Sequence, residues 1–337
     1  MKTKPVLVCL AALLLALPAR GQVQVNGYLS FQYENGQRQS EFPEGTFNKV
    51  RAGLFFSGKT ARIFDYNLEV RYKTETRVEI EEAWVGIHPS AAFHLKLGFY
   101  LVPFGKYNTV NRPYQTRFIE TPLPQAHLYP ESWKDIGILA EGKTRYLNYS
   151  IYLGNGLREG IDLQDGQQVK DNNKNKGTGG RIGIFLSQSF EAGFSYYRGK
   201  YDSANTRGLS LWGADLSWQT DSFFVLYEYS KADLDNPPGF SQGEAKGHYV
   251  LFSLDIADFS VWGSYQTFAY TDPFHGLGFV EGMSPGSGIY YDLNRWAIGL
   301  VYSASSSVLI KVEYDFNSEG KINLDDDVFF AQVALHF

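Results

Sequence analysis

Between two runs of alternating residues lies a polar stretch, 103–134, that carries Lys106, Arg112, Arg117, Glu120 and Glu131. It opens on Pro103-Phe-Gly105 and is rich in Pro, Arg, Glu and Tyr. Charges of both signs stand along one irregular segment. They can set the field across a narrow aqueous passage, where selectivity follows the local ring of charges and not the total. Lys106, Arg112 and Arg117 against Glu120 would form such a pore constriction. The same residues could instead tie the segment to a surrounding wall by ion pairs, and the sequence leaves both open. Compact domains seldom carry so long a structureless loop unless it is functional.

Other residues with chemical potential fall away on context. Gly53–Thr60 and Gly137–Thr144 both match the phosphate-loop pattern G-x4-G-K-[ST]. That mechanism needs a strand, the loop and then a helix whose amino end meets the phosphate. Each match is instead an alternating strand entering a short turn and a second strand, as if one hairpin were used twice. The six histidines, at 88, 94, 127, 248, 275 and 336, show neither a compact arrangement with Ser and Asp nor zinc-ligand spacing. His94 reads as a lumen residue and His336 as a residue at the short-turn end. No catalytic residue, cofactor or metal is expected. Asp325-Asp-Asp327 and Asp171-Asn-Asn-Lys174 read as solvated surface.

The chain begins Met1-Lys-Thr-Lys4, continues through an apolar run from Pro5 to Pro18 and reaches Ala19-Arg-Gly21. A basic start, a short apolar middle and small residues at the end make a secretory signal peptide, residues 1–21. Residues 22–337 then form the mature chain, without cysteine because Cys9 leaves with the leader. Losing Lys2, Lys4 and Arg20 leaves 28 basic against 36 acidic side chains, a formal charge of −8. An acidic chain of this kind is a poor nucleic-acid ligand. No mature window approaches 18 consecutive apolar residues, so no transmembrane helix is expected.

What must position the charged stretch is β-structure. Val308, Ile310, Val312, Tyr314 and Phe316 alternate with Lys311, Glu313 and Asp315, and Tyr66, Leu68, Val70 and Tyr72 with Asn67, Glu69 and Arg71. This period of two recurs in about sixteen segments. A phase slip at Glu81-Glu82 implies a bulge, and fourteen strands remain an alternative. From the second strand on, every other connection is short, and those between are mostly long and polar, at 35–46, 103–134, 155–178, 232–246, 269–290 and 317–326. Short turns at one end and long loops at the other mark a transmembrane antiparallel β-barrel, with periplasmic turns and external loops. Closure pairs every backbone group, which hydrocarbon demands. Trp212, Trp218, Trp296, Tyr314 and Phe337 lie on the apolar phase near strand ends, where an aromatic girdle belongs. One-sided apolar rows would face lipid and polar rows a lumen too wide for side chains to fill. The lumen-phase cations are Lys49, Arg51, Arg71, Lys73, Lys96, Arg181, Arg295 and Lys311. The last strand alternates Phe329, Ala331, Val333, Leu335 and Phe337, and resembles the terminal strand that barrel-assembly machinery recognises in bacterial outer-membrane proteins.

Four motifs stand in order: Ile80-Glu-Glu-Ala-Trp-Val-Gly86, Gly98-Phe-Tyr-Leu-Val-Pro-Phe-Gly105, Arg117-Phe-Ile-Glu120 and Asp135-Ile-Gly137. With Leu153-Gly-Asn-Gly156, this progression resembles the phosphate-selective porin O/P family over residues 80–155. The resemblance implies a sixteen-stranded, usually trimeric porin of the bacterial outer membrane. Its third external loop would fold inward, and cationic side chains would guide anions.

The expected function is a passive diffusion channel for small hydrophilic solutes, anion- or phosphate-preferring, in contact with outer-membrane lipid and lipopolysaccharide. Two alternatives are a barrel serving as a structural or adhesive anchor through its external loops, and an outer-membrane hydrolase.

Overall fold

The computed structural model describes residues 23–60, 62–73, 77–160, 163–235, 243–270, 292–320 and 324–337. The expected leader, residues 1–21, lies outside them. Sixteen strands follow in order: β1 Val23–Gly36, β2 Thr46–Lys59, β3 Phe64–Lys73, β4 Arg77–Ser90, β5 Phe93–Leu101, β6 Lys134–Lys143, β7 Leu147–Gly154 and β8 Gly177–Phe185. The second half is β9 Phe190–Lys200, β10 Gly208–Gln219, β11 Phe223–Leu234, β12 Gly243–Ile256, β13 Phe259–Tyr270, β14 Asp292–Ser305, β15 Val308–Glu319 and β16 Val328–His336. Each pairs antiparallel with its neighbours, and β1 pairs with β16, so the sheet closes. The count is sixteen, not fourteen.

Closure follows from the alternation. On β16, Phe329, Val333 and Leu335 face outward, while Phe330, Gln332 and Ala334 are buried. On β15, Ile310, Val312 and Phe316 are exposed, while Lys311, Glu313 and Asp315 point inward and are buried. Trp218 and Trp296 are 47% and 61% exposed on the outer face. Exposed apolar rows of this extent are foreign to a protein bathed in water. A closed barrel leaves no unpaired strand edge within them, as hydrocarbon requires.

Three bulges interrupt the register of the first five strands. Ser30 pairs with Arg51 but Gln32 with Asn48, so Lys49 and Val50 face one residue, and Lys49 sits at φ 51°. Glu69 pairs with Glu82 but Val70 with Ile80, leaving Glu81 extra. Ile87 pairs with Leu95 but Ser90 with Phe93, so His88 and Pro89 stand opposite His94. A bulge re-aims the side chain it carries. Here Lys49, Glu81 and His88 all meet lumen partners. The phase slip at Glu81-Glu82 is the second of these.

One expectation about the lumen needs correction. Its wall is not polar throughout. Leu209 and Leu211 on β10, Ala232 and Leu234 on β11, Tyr249 and Leu251 on β12 and Phe268 on β13 are buried on the inner face. The reason is the connection between β5 and β6, which packs its own apolar residues onto them.

Candidate functional site

The segment 102–133 leaves β5 at Leu101 and folds into the barrel. Its two ends are joined at the base. Val102 N–H donates to the Trp133 carbonyl at 2.9 Å. Asn108 Nδ2 donates to the carbonyls of Val102 and Trp133, both at 2.8 Å, and Asn108 Oδ1 accepts the Trp133 amide at 2.8 Å. Pro103 cannot continue the ladder. Phe104 turns into a pocket with Tyr129 and Trp133, ring centroids 5.5 and 5.8 Å away. Gly105 adopts φ +62°, where a side chain would be strained and would also strike the Glu228 carboxylate.

Irregular backbone inside a barrel needs partners for its amides, and the wall supplies them. Glu228 on β11 accepts Lys106 N–H at 2.9 Å and Tyr107 N–H at 2.8 Å. Glu313 on β15 accepts the amides of Ile119 and Glu120. Gln266 on β13 accepts Leu123 N–H at 2.9 Å, at the start of the short helix α1, Leu123–His127. Lys311 donates to the carbonyls of Thr116 at 2.8 Å and Phe118 at 3.3 Å. Apolar contacts complete the seat: Phe118 packs edge-on to Tyr249 and Trp262, and Trp133 to Tyr197. The loop thus has a polar and an apolar attachment to β9–β15, fixing it across the lumen.

The four expected constriction residues are each ion-paired with the wall. Lys106 meets Glu191 on β9 at 2.6 Å. Arg112 meets Glu69 on β3 at 2.5 Å and Glu82 on β4 at 3.5 Å. Arg117 meets Asp255 on β12 at 3.0 Å and lies over the Phe224 ring. Glu120 pairs with Lys49 on β2. Their partners are spread round the circumference, so each fastens a different point of the loop.

The lumen-phase cations follow suit. Arg51 reaches Glu131 of the loop at 3.2 Å. Arg71 lies between Glu69 at 3.6 Å and Glu81 at 3.1 Å and donates to Ser132 at 2.9 Å. Lys96 meets Glu141 at 2.6 Å, and Arg295 meets Asp315 at 3.2 Å. Arg181 joins Asp215 at 2.5 Å and Glu191 at 2.8 Å. Lys73 belongs to β3, but its side chain lies outside the described residues.

Several site residues went unread in the sequence. Lys134, bonded to Glu81 at 3.0 Å and Glu79 at 3.3 Å, extends the Arg112–Glu69–Arg71 network along β4. Asn108 carried no charge to attract notice. Asp135 accepts the amides of Ile136, Asn155 and Gly156 at 2.7–2.9 Å. That joint explains why Asp135-Ile-Gly137 and Leu153-Gly-Asn-Gly156 occur together: Gly137 and Gly154 are paired, and a Cβ on Gly154 would collide with the Asp135 carboxylate.

On the short-turn side of the loop lies a cavity of about 790 Å³. Lys106, Arg117, Lys143 and Arg181 line it against Glu141 and Glu191, with His88 and His94 at its edge. Four cations against two carboxylates line it, with Asp255 and Asp215, outside that lining, paired to Arg117 and Arg181. His94 therefore does face the lumen, and His336 stacks on the loop's Tyr114 at 4.9 Å.

No family model matches the chain. An uncharacterized protein of Aquifex aeolicus (strain VF5) is 23% identical over 361 aligned positions, covering 94% of this chain and 80% of that protein. Among solved structures, the trimer form of the outer membrane protein OmpT of Vibrio cholerae superposes with a TM-score of 0.67 at 11% identity, covering 94% of this chain and 99% of that one. The anion-selective porin from Comamonas acidovorans gives 0.66 at 9%, covering 94% and 99%. The outer membrane channel DcaP of Acinetobacter baumannii gives 0.66 at 10%, covering 95% and 99%. The chain has the sixteen-stranded porin fold. At these identities the likeness is one of architecture, and it extends over nearly the whole chain.

Proposed function

We propose that the chain is a passive diffusion channel of the bacterial outer membrane for small hydrophilic solutes. The observation that supports this most is the loop 102–133, held inside a closed barrel and leaving below it a charged cavity of about 790 Å³. Steric sieving by the loop and the field of the cavity wall are the mechanism, and no bond is made or broken. A lining of four cations and two carboxylates favours anions. The motif resemblance to the phosphate-selective porins and the likeness to an anion-selective porin point the same way, and phosphate is the first solute to try. Export through the leader 1–21, assembly directed by the strand ending at Phe337, contact with lipid and lipopolysaccharide, and a homotrimer belong to the same reading. The trimer form of one structural neighbour supports the last.

Planar-bilayer recording tests it. Ohmic single-channel steps, with a reversal potential on the anion side in a KCl gradient, are the expected result. Correctly folded protein that conducts nothing would overturn the channel reading. It would favour a second one, a plugged barrel serving as an anchor, to which the apolar seat of Phe104, Phe118 and Trp133 lends support.

A further inference from the structure

At the short-turn end of the barrel, three strands bring together Asp65, His88 and His94. Asp65 opens β3, His88 sits in the bulge of β4 and His94 opens β5. One donor atom from each lies within 4.8 Å of the other two. His94 Nε2 is 3.1 Å from Asp65 Oδ1, and His88 Nδ1 is 3.7 Å from Asp65 Oδ2. The two imidazoles are stacked, 4.6 Å apart and 18° from parallel, so one ring must turn about its side-chain torsions for both nitrogens to meet one ion. Zinc bonds of about 2.0–2.1 Å at tetrahedral angles set neighbouring ligand atoms about 3.3 Å apart. The two distances to Asp65, one to each carboxylate oxygen, lie on either side of that value.

Two further features fit a metal rather than a chance ion pair. His94 turns its other nitrogen, Nδ1, toward Glu141 Oε1 at 3.4 Å, and Lys96 holds that carboxylate at 2.6 Å. A carboxylate behind a ligating histidine fixes the tautomer and ring orientation a metal needs. Gly86, opposite both Asp65 and Lys96 in the ladder, carries no Cβ where one would collide with Asp65 Oδ1 and His94 Nε2 together. The site is cleared for those two atoms to converge.

We propose that Asp65, His88 and His94 bind one divalent transition-metal ion of the zinc class. Two imidazoles and a carboxylate are a donor set for such ions and unlike the all-oxygen shells that calcium prefers. Three protein ligands leave a coordination position open. His88 and His94 line the cavity, so the bound ion stands at its wall. It crosslinks β3, β4 and β5 there and adds two positive charges to the lining. The proposal rests on the fold and these side chains alone, so metal binding can succeed or fail independently of conductance.

The test is titration of the refolded chain with Zn²⁺ by calorimetry. One site per chain is expected. His94→Ala and Asp65→Asn should weaken it more than about 100-fold, beyond the about 10–100-fold expected for Glu141→Gln, which removes only the group behind the ligand. Gly86→Ala should abolish binding without touching a donor atom. His248→Ala, on a histidine that contacts Tyr227 and Tyr265 instead, should leave it unchanged. Co²⁺ provides a readout on the unaltered chain, since an intense visible absorption marks low-coordinate binding. A folded wild-type barrel that takes up no stoichiometric Zn²⁺ and leaves Co²⁺ with its aqueous spectrum overturns the proposal. So do ligand variants that bind as well as wild type.

Discussion

Asn108 and Trp133 are held to each other from both sides: Asn108 Oδ1 accepts the Trp133 amide and Asn108 Nδ2 donates to the Trp133 carbonyl, each at 2.8 Å. Twenty-four residues of chain lie between them, and this clasp keeps that loop a closed unit inside the barrel. Asn108→Ala removes three buried hydrogen bonds, counting the one to Val102. At about 0.5–1.5 kcal/mol each, the loop base should lose about 2–4 kcal/mol, while the strands that pair round it remain. The expected outcome is faster amide exchange across 102–133 with strand protection unchanged, together with noisier and larger single-channel steps. Unaltered exchange in the loop would show that the apolar seat alone holds it.

A second prediction concerns the bulge at Glu81. Its carboxylate is buried and sits 3.1 Å from Arg71 and 3.0 Å from Lys134, with Glu69 joining Arg71 to Arg112. Breaking a buried pair from one side leaves charge without a partner, at about 3–5 kcal/mol. Glu81→Ala should therefore lower stability to urea in detergent by about that much. Exposed Lys246→Ala, paired to Glu244 on its own strand, should change it by under about 1 kcal/mol.

How much of this was legible follows from period and phase. Sixteen strands and the inward loop could be read because alternation of two and turn parity are local signals, and Glu81-Glu82 betrayed a bulge by slipping that phase. The bulge at His88 slips phase beside Pro89 and a two-residue turn at 91–92, where alternation is too short to register it. Asp65, His88 and His94 therefore looked unrelated. The inner-wall positions of Leu209, Leu211 and Phe268 were not legible for another reason. An apolar residue in a barrel strand reads as lipid-facing unless something covers the inner wall, and the cover here comes from residues far along the chain. The charges of the loop were legible as charges, but their partners on β2, β3, β9 and β12 were set by closure.

Asp326, in the external connection between β15 and β16, provides a pH test. Burial, with Glu319 and Asp327 nearby, pushes its carboxyl up to about 6. Its folded value lies above the ordinary one, so its contribution to loop packing is full below about pH 4. That contribution is lost as pH climbs through about 6. Asn317 bonds the Asp326 carbonyl at 2.9 Å and Asp327 Oδ1 at 2.9 Å, so the same loop reports the change. Exchange at Asn317–Gly320, corrected for intrinsic rate, should be faster at pH 7.5 than at pH 5, and Asp326→Asn should flatten the difference. A wild-type loop indifferent to pH would rule this out.

The cationic residues of the loop should divide into two kinds. Lys106 and Arg117 line the cavity under the loop, whereas Arg112 and Glu120 do not. Arg112 is enclosed by Glu69, Glu82 and the Phe55 ring, so a permeating ion meets its field largely cancelled. Neutralising Lys106 and Arg117 together changes the lining from four cations against two carboxylates to two against two. The reversal potential in a KCl gradient should then move toward the cation side. Arg112→Gln should leave that potential near the wild-type value and should instead destabilise the barrel, because Glu69 and Glu82 are left with less positive charge beside them. Adding Lys143→Gln to the double change should move the potential further in the same direction, since Lys143 lines the cavity and stacks on Phe185. If Arg112→Gln shifts ion preference and the double change does not, the field that selects ions lies at the β3–β4 wall and not in the cavity.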